Sequence, residues 1–106
     1  MPPKKKFSKE QIIDAAFEIA QAEGLDAITI RKVADKLGSS IAPIYVNFSE
    51  AEELVKEVFI RIVQLSQEIL AEQNSGNPFH DIGIASLRFA REYGVLFMDL
   101  TTKQGK

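Results

Sequence analysis

The sequence has no cysteine and a single histidine, His80. Without thiols there is no disulfide, no thiolate nucleophile and no cysteine-ligated zinc, so stability must come from packing alone. His80 has no second ligating side chain at helical spacing and reads as a surface residue at a helix start, so neither a metal nor a cofactor is expected. No apolar run approaches the roughly eighteen residues that a membrane span requires, and the opening MPPKKKF lacks the apolar stretch of a secretory signal. A cytoplasmic protein with no membrane partner is the expectation. No strand signal, internal repeat or low-complexity segment interrupts the chain. Ser, His and Asp residues occur without the spacing of a triad, and the pair Glu52 and Glu53 suits a helix N-terminus, where negative charge meets the dipole, better than acid–base chemistry. No enzyme is expected.

Net charge of either sign is also small. Over 106 residues the net charge is −2, with 45% hydrophobic and 26% charged residues, a composition that supports one modest globular core. The halves differ slightly: residues 1–48 hold seven Lys or Arg against six Asp or Glu, and residues 49–106 hold six against nine. The sharpest basic element is Lys4, Lys5 and Lys6, a run that reads either as a basic arm reaching a phosphate backbone or minor groove, or as a solvated tail.

The apolar residues repeat at helical intervals throughout. Ser8 and Gln11 form an S-x-x-Q capping box with Phe7 as a hydrophobic staple, so the first helix begins near Lys9. It buries Ile12, Ala15, Ala16, Ile19 and Ala20, flanked by Ile13 and Phe17, and stops at Gly24. A second helix, capped by Thr29, carries Ile30, Val33, Ala34 and Leu37 on one face and ends at Gly38, a turn residue that must adopt positive φ. A third, with Ser40 as N-cap, turns Ile44 and Phe48 inward and leaves Ile41, Ala42, Pro43, Tyr45 and Asn47 facing outward or flanking. Residues 29–48 therefore read as a helix-turn-helix. Ser49 and Glu52 predict a second capping box, followed by a long fourth helix over 51–73 with Leu54, Val58, Ile62, Leu65 and Ile69 inward. After the linker Asn74-Ser75-Gly76-Asn77-Pro78, a fifth helix over 79–93 is expected to bury Ile82, Ala85, Leu87, Phe89 and Ala90. A shorter sixth covers 95–102.

The run Gly38-Ser39-Ser40-Ile41-Ala42-Pro43-Ile44-Tyr45-Val46-Asn47-Phe48, its acidic exit and Leu54 resemble the recognition helix and fourth-helix start of the TetR family of transcriptional regulators. The Ser8 and Thr29 caps agree in order and spacing, so the resemblance covers Phe7 to about Val58. Ser86 to Leu100 is similar to a segment that some members carry near the sixth helix. The resemblance implies an all-α fold: a homeodomain-like three-helix DNA-binding domain over 1–48, then over 49–106 a long helix and part of a helical ligand-binding and dimerisation domain. It implies a dimeric repressor that binds a double-stranded DNA operator and is released by a small-molecule effector.

Carried over residue by residue, the resemblance implies that Thr29 and Tyr45 bond phosphates, that Ser40 caps the recognition helix and touches backbone, and that Ile41, Ala42 and Pro43 face base edges. Ile41 and Ala42 have no donor or acceptor, so a thymine methyl is what they can read. Ala51 stands where lysine is common in the family, and Val46 and Asn47 where aromatic, His or basic residues are frequent. Arg31, Lys32, Lys36 and the lysine run are expected to supply phosphate contacts instead, and Asn47 is included among the DNA-facing residues. Phe59, Leu65, Phe89 and Phe97 are candidate lining of an effector cavity, with plain core as the alternative. Because the chain stops within what would be the ligand-binding domain, unpartnered apolar faces on helices four to six are expected to drive self-association. The competing reading is a helical protein-interaction module without a nucleic-acid partner.

Overall fold

A computed structural model describes residues 6–102, and within them every regular element is helical, with no strand. The elements are α1 (Lys9–Glu23), a single 3₁₀ turn (Leu25–Ala27), α2 (Ile30–Leu37), α3 (Ala42–Tyr45), α4 (Ala51–Ala71), α5 (Pro78–Glu92) and α6 (Gly94–Thr102). None of these helices is long and apolar enough to cross a membrane.

Helix α1 starts where its capping box dictates. The Ser8 Oγ accepts the Gln11 N–H at 3.1 Å, and the Gln11 Oε1 accepts the Ser8 N–H at 2.9 Å, so two amides that would otherwise lack helical partners are satisfied reciprocally. It ends at Gly24, whose φ of 97° is closed to L-side chains and whose N–H returns to the Ala20 carbonyl. Ile12, Ile13, Ala15, Ala16, Ile19 and Ala20 are buried, the isoleucines filling the core and the small alanines allowing close approach, and three other helices, α2, α4 and α6, pack against α1.

Helix α4 presents Leu54, Val58, Ile62 and Ile69 to the core, with Leu65 half-buried, as the spacing predicts. Its start differs from the expected box. The cap is Glu50, one residue later than Ser49, so the third helical residue is Glu53, and it is Glu53 rather than Glu52 whose carboxylate accepts the Ser49 N–H at 2.8 Å and the Ser49 hydroxyl. Helix α5 is capped by Asn77, whose Oδ1 accepts the Phe79 and His80 amides, with Pro78 in the first turn where its missing N–H costs nothing.

Two expected core residues of α5 are exposed, Ile82 at 52% and Leu87 at 69%. The helix packs on α4 and α6 along one stripe, Ala85 and Phe89, four residues apart; Leu87 falls midway between them and so points the other way. Ion pairs tie the elements together on the outside. The Arg61 guanidinium on α4 bonds Glu10 and Asp14 of α1, and Arg88 on α5 bonds Glu72 at the end of α4 and Glu92 one turn on.

Candidate nucleic-acid interface

The surface that the sequence singles out is built by α2, its turn and α3. Thr29 caps α2, its Oγ1 accepting the Lys32 N–H at 3.0 Å. That bond occupies a lone pair and leaves the hydroxyl proton available to an outside acceptor. Ile30, Val33 and Ala34 are buried beneath, and Leu37 is half-buried. At Gly38 the backbone adopts the left-handed conformation, φ 68° and ψ 37°, and the amides of Gly38 and Ser39 fold back onto the carbonyls of Asp35 and Ala34. This reversal aims α3 away from α2.

Helix α3 is one turn long and does not start as expected. Its cap is Ile41, not Ser40, and no side chain caps it. Ile41 already has helical dihedrals, and its carbonyl accepts the amides of Ile44 at 3.0 Å and Tyr45 at 3.2 Å, while Pro43, just before Ile44, has no amide to offer. Ser40 is exposed, and its carbonyl accepts the Ser39 hydroxyl at 2.6 Å. Ile44 and Phe48 anchor the turn in the core at 0% and 3% exposure.

Against those two anchors, Ile41, Ala42 and Tyr45 face solvent, and Pro43 and Asn47 are half-buried. Val46, named from the sequence only as a departure from the family pattern, is exposed at 83%; it sits between the inward positions 44 and 48, and that spacing alone could have placed it outward. Asn47 is engaged inside the protein: one of its two Nδ2 protons goes to the Phe7 carbonyl at 3.2 Å, which leaves the second proton and Oδ1 for an outside partner.

The cations sort into two groups. Lys32 is paired with Glu23 and Lys36 with Glu18, both on α1, so these two are already partly neutralised. Arg31 and Lys6 are exposed and form no ion pair among the described residues, while Lys4 and Lys5 lie outside them. Lys9 sits over the Phe48 ring at 5.7 Å from its centroid. Among the described residues, Arg31 and Lys6 thus bring this face positive charge that no ion pair offsets.

The four candidate effector residues do not converge. Phe59, Phe89 and Phe97 line a groove of about 370 Å³ between α4, α5 and α6, together with Ile62, Val63 and Leu70. Leu65 instead borders a separate hollow with Phe17, Arg61 and Tyr93, because it lies on the side of α4 that faces α1. No cluster of side chains able to hold a metal occurs among the described residues.

Residues 12–58 match the family model described as bacterial regulatory proteins, tetR family. Among curated proteins, the chain is similar to the uncharacterized HTH-type transcriptional regulator Rv0681 of Mycobacterium tuberculosis, at 27% identity over 88 residues, 83% of this chain and 40% of that protein. It is similar to the HTH-type transcriptional repressor DrrR1 of Streptomyces coeruleorubidus, at 31% over 65 residues, 61% of this chain and 24% of the relative. The tetracycline repressor protein class D of Escherichia coli is 31% identical over 58 residues, 55% of this chain and 27% of its own length. These alignments thus span well under half of each relative. No solved structure gives a significant match. The family match falls on α1 through the first turns of α4, the segment that holds the helix-turn-helix, so residues 12–58 are those of the N-terminal helix-turn-helix domain of that family.

Proposed function

We propose that the protein is a sequence-specific regulator that binds a double-stranded DNA operator as a homodimer, with residues 1–48 holding the duplex and residues 49–106 belonging to a regulatory domain. The observation that carries this reading is the division of α3: Ile44 and Phe48 are buried while Ile41, Ala42 and Tyr45 project from an unobstructed surface that follows a left-handed glycine turn. A recognition helix needs that arrangement, anchored on one side and open to a major groove on the other. Thr29, Arg31 and Tyr45 flank it with donors suited to phosphates, which fix register, while Ile41, Ala42 and Pro43 offer apolar contacts to base edges. Ser40 flanks the same surface and can give a phosphate its hydroxyl.

DrrR1 and the tetracycline repressor proteins are repressors, and repression is the role proposed for this chain. The effector would be a small molecule seated in the groove at Phe59, Phe89 and Phe97, whose walls are apolar. Two copies would set their α3 helices about 34 Å apart, on successive turns of one duplex. Such a protein works in the cytoplasm, where its operator is.

Salt-dependent duplex binding tests the proposal. A regulator that neutralises several phosphates loses affinity steeply and linearly on a logarithmic salt scale. A helical protein-interaction module, the alternative favoured by the paired state of Lys32 and Lys36, shows no duplex binding at any salt.

A further inference from the structure

Asn47 stands two residues past the end of α3, just after its cap Val46. Its own N–H bonds the Ile44 carbonyl at 3.0 Å, and its neighbour Phe48 is buried, so its side-chain amide is held in a fixed place at the end of the recognition helix. From there Nδ2 reaches the carbonyl of Phe7, forty residues earlier in the chain. A carbonyl can only accept, so this bond requires the donor end of the amide, which an aspartate or a leucine lacks. Phe7 is the last residue before the α1 cap and packs half-buried on the core. The bond therefore fixes the peptide from which the N-terminal arm departs.

Lys6 comes immediately before that peptide. Its exposed side chain shares with Ser39, Ser40, Pro43 and Asn47 a concave surface of about 630 Å³ alongside α3. The lining holds an ammonium and two hydroxyls and contains no carboxylate, a donor set suited to a phosphodiester strand.

We propose that Asn47 is a positioning residue for the basic arm: by holding the Phe7 carbonyl it keeps the Lys6 ammonium beside the recognition helix. That ammonium then meets a phosphate of the duplex that α3 reads. This rests on the DNA-binding reading above. Its physical content is pre-organisation, since lysines on an anchored arm reach phosphates at a higher effective concentration than lysines on an arm free to leave the surface.

The experiment compares Asn47→Ala, the triple variant Lys4→Ala/Lys5→Ala/Lys6→Ala and their combination in the full chain, measuring duplex affinity across a salt series. Each lysine–phosphate contact adds about 0.9 to the slope of log affinity against log salt, so a fourfold rise in salt costs about 3.5-fold in affinity per contact. Asn47→Ala should lower that slope as well as the affinity, and should have no further effect once the lysines are gone. A loss of affinity with the slope unchanged makes Asn47 a direct contact or a purely structural residue and overturns the proposal. So do additive losses, or no loss. A second readout needs no DNA: trypsin should cut the Lys6–Phe7 bond several-fold faster in Asn47→Ala than in the parent, and equal rates overturn the anchoring. If the parent chain itself binds no duplex, the functional reading and the phosphate step fall together, while the trypsin comparison still decides whether Asn47 holds the arm.

Discussion

Asp99 on α6 accepts a hydrogen bond at 2.9 Å from the backbone N–H of Leu25, the first residue of the 3₁₀ turn between α1 and α2. The turn has no local cap, since Gly24 offers no side chain, so a carboxylate 74 positions away satisfies its leading amide. Asp99 is nearly buried there, at 9% exposure. The corner that sets the direction of α2, and through it the helix-turn-helix, is thus held by the last described helix.

Removing that carboxylate leaves a partly buried N–H without its partner, at a typical cost of about 1–3 kcal/mol. Asp99→Ala should lower the urea midpoint accordingly. Asp99→Asn, which keeps an acceptor oxygen, should retain much of the stability. Equal losses in the two variants would show that the carboxylate charge, not the bond to Leu25, is what matters.

Gly24 and Gly38 should both resist substitution for reasons of backbone rather than space. A Cβ on Gly24 would meet the Asp99 carboxylate at 3.6 Å, ordinary contact, and one on Gly38 would meet nothing within 4 Å. Their dihedrals differ, however: Gly38 is in the left-handed helical region, whereas Gly24, at φ 97° and ψ 164°, is in a region essentially restricted to glycine. Gly38→Ala should cost about 1 kcal/mol and Gly24→Ala up to about 3, with Gly38→Asn milder than Gly38→Ala. Thermal denaturation of the three variants checks the order.

Two of the hydroxyls expected to cap helices, those of Thr29 and Ser40, should behave differently. Thr29 caps α2, so Thr29→Ala should destabilise by about 1 kcal/mol. Ser40 caps nothing, so Ser40→Ala should stay within about 0.5 kcal/mol of the parent. If Ser40→Ala proves as costly as Thr29→Ala, the start of α3 at Ala42 is wrong.

That contrast marks how far the sequence could be read. Ser8 with Gln11, Thr29, Gly24 and Gly38 act within four residues of themselves, so their roles follow from spacing and stereochemistry before any packing is known. The inward faces of α1 to α4 follow similarly from the helical period. What spacing could not deliver are bonds chosen after the helices dock: Asn47 to Phe7, Asp99 to Leu25, and Lys32 and Lys36 to the acids of α1. Ser40 failed as a cap because Ile41 took helical dihedrals, a single-residue offset that local pattern does not resolve. Leu87 failed because it lies opposite the packed stripe of Ala85 and Phe89, and Ile82, on that stripe, because it borders the open groove between α4, α5 and α6.

At the start of α4, the Ser49 hydroxyl and amide donate to the Glu53 carboxylate and hold its pKa below the ordinary glutamate value. The stabilisation from such a depressed group is complete above the unfolded pKa and is lost as pH falls through the folded one. The α4 N-terminus should therefore be indifferent to pH near neutrality and loosen only in acid. An NMR titration should place the Glu53 pKa below that of an exposed glutamate, and Ser49→Ala should raise it. An unchanged pKa in that variant would remove Ser49 as the cause.

The sharpest prediction concerns what α3 can read. Ile41 and Ala42 project from its open side and carry neither donor nor acceptor, so their direct readout is contact with the thymine methyl group. Replacing thymine by uracil in the half-site removes that methyl and leaves every hydrogen-bonding group of the pair in place. Affinity should fall about fivefold for each contacted methyl, equivalent to about 1 kcal/mol. The salt slope should stay as it was, because no phosphate contact has changed. Ile41→Ser should abolish the distinction between thymine and uracil at the base beneath it, while Tyr45→Phe should weaken thymine and uracil duplexes alike by removing a phosphate donor. Indifference to uracil at every thymine of a bound operator would mean that sequence is read by another surface, and α3 would be left with positioning alone.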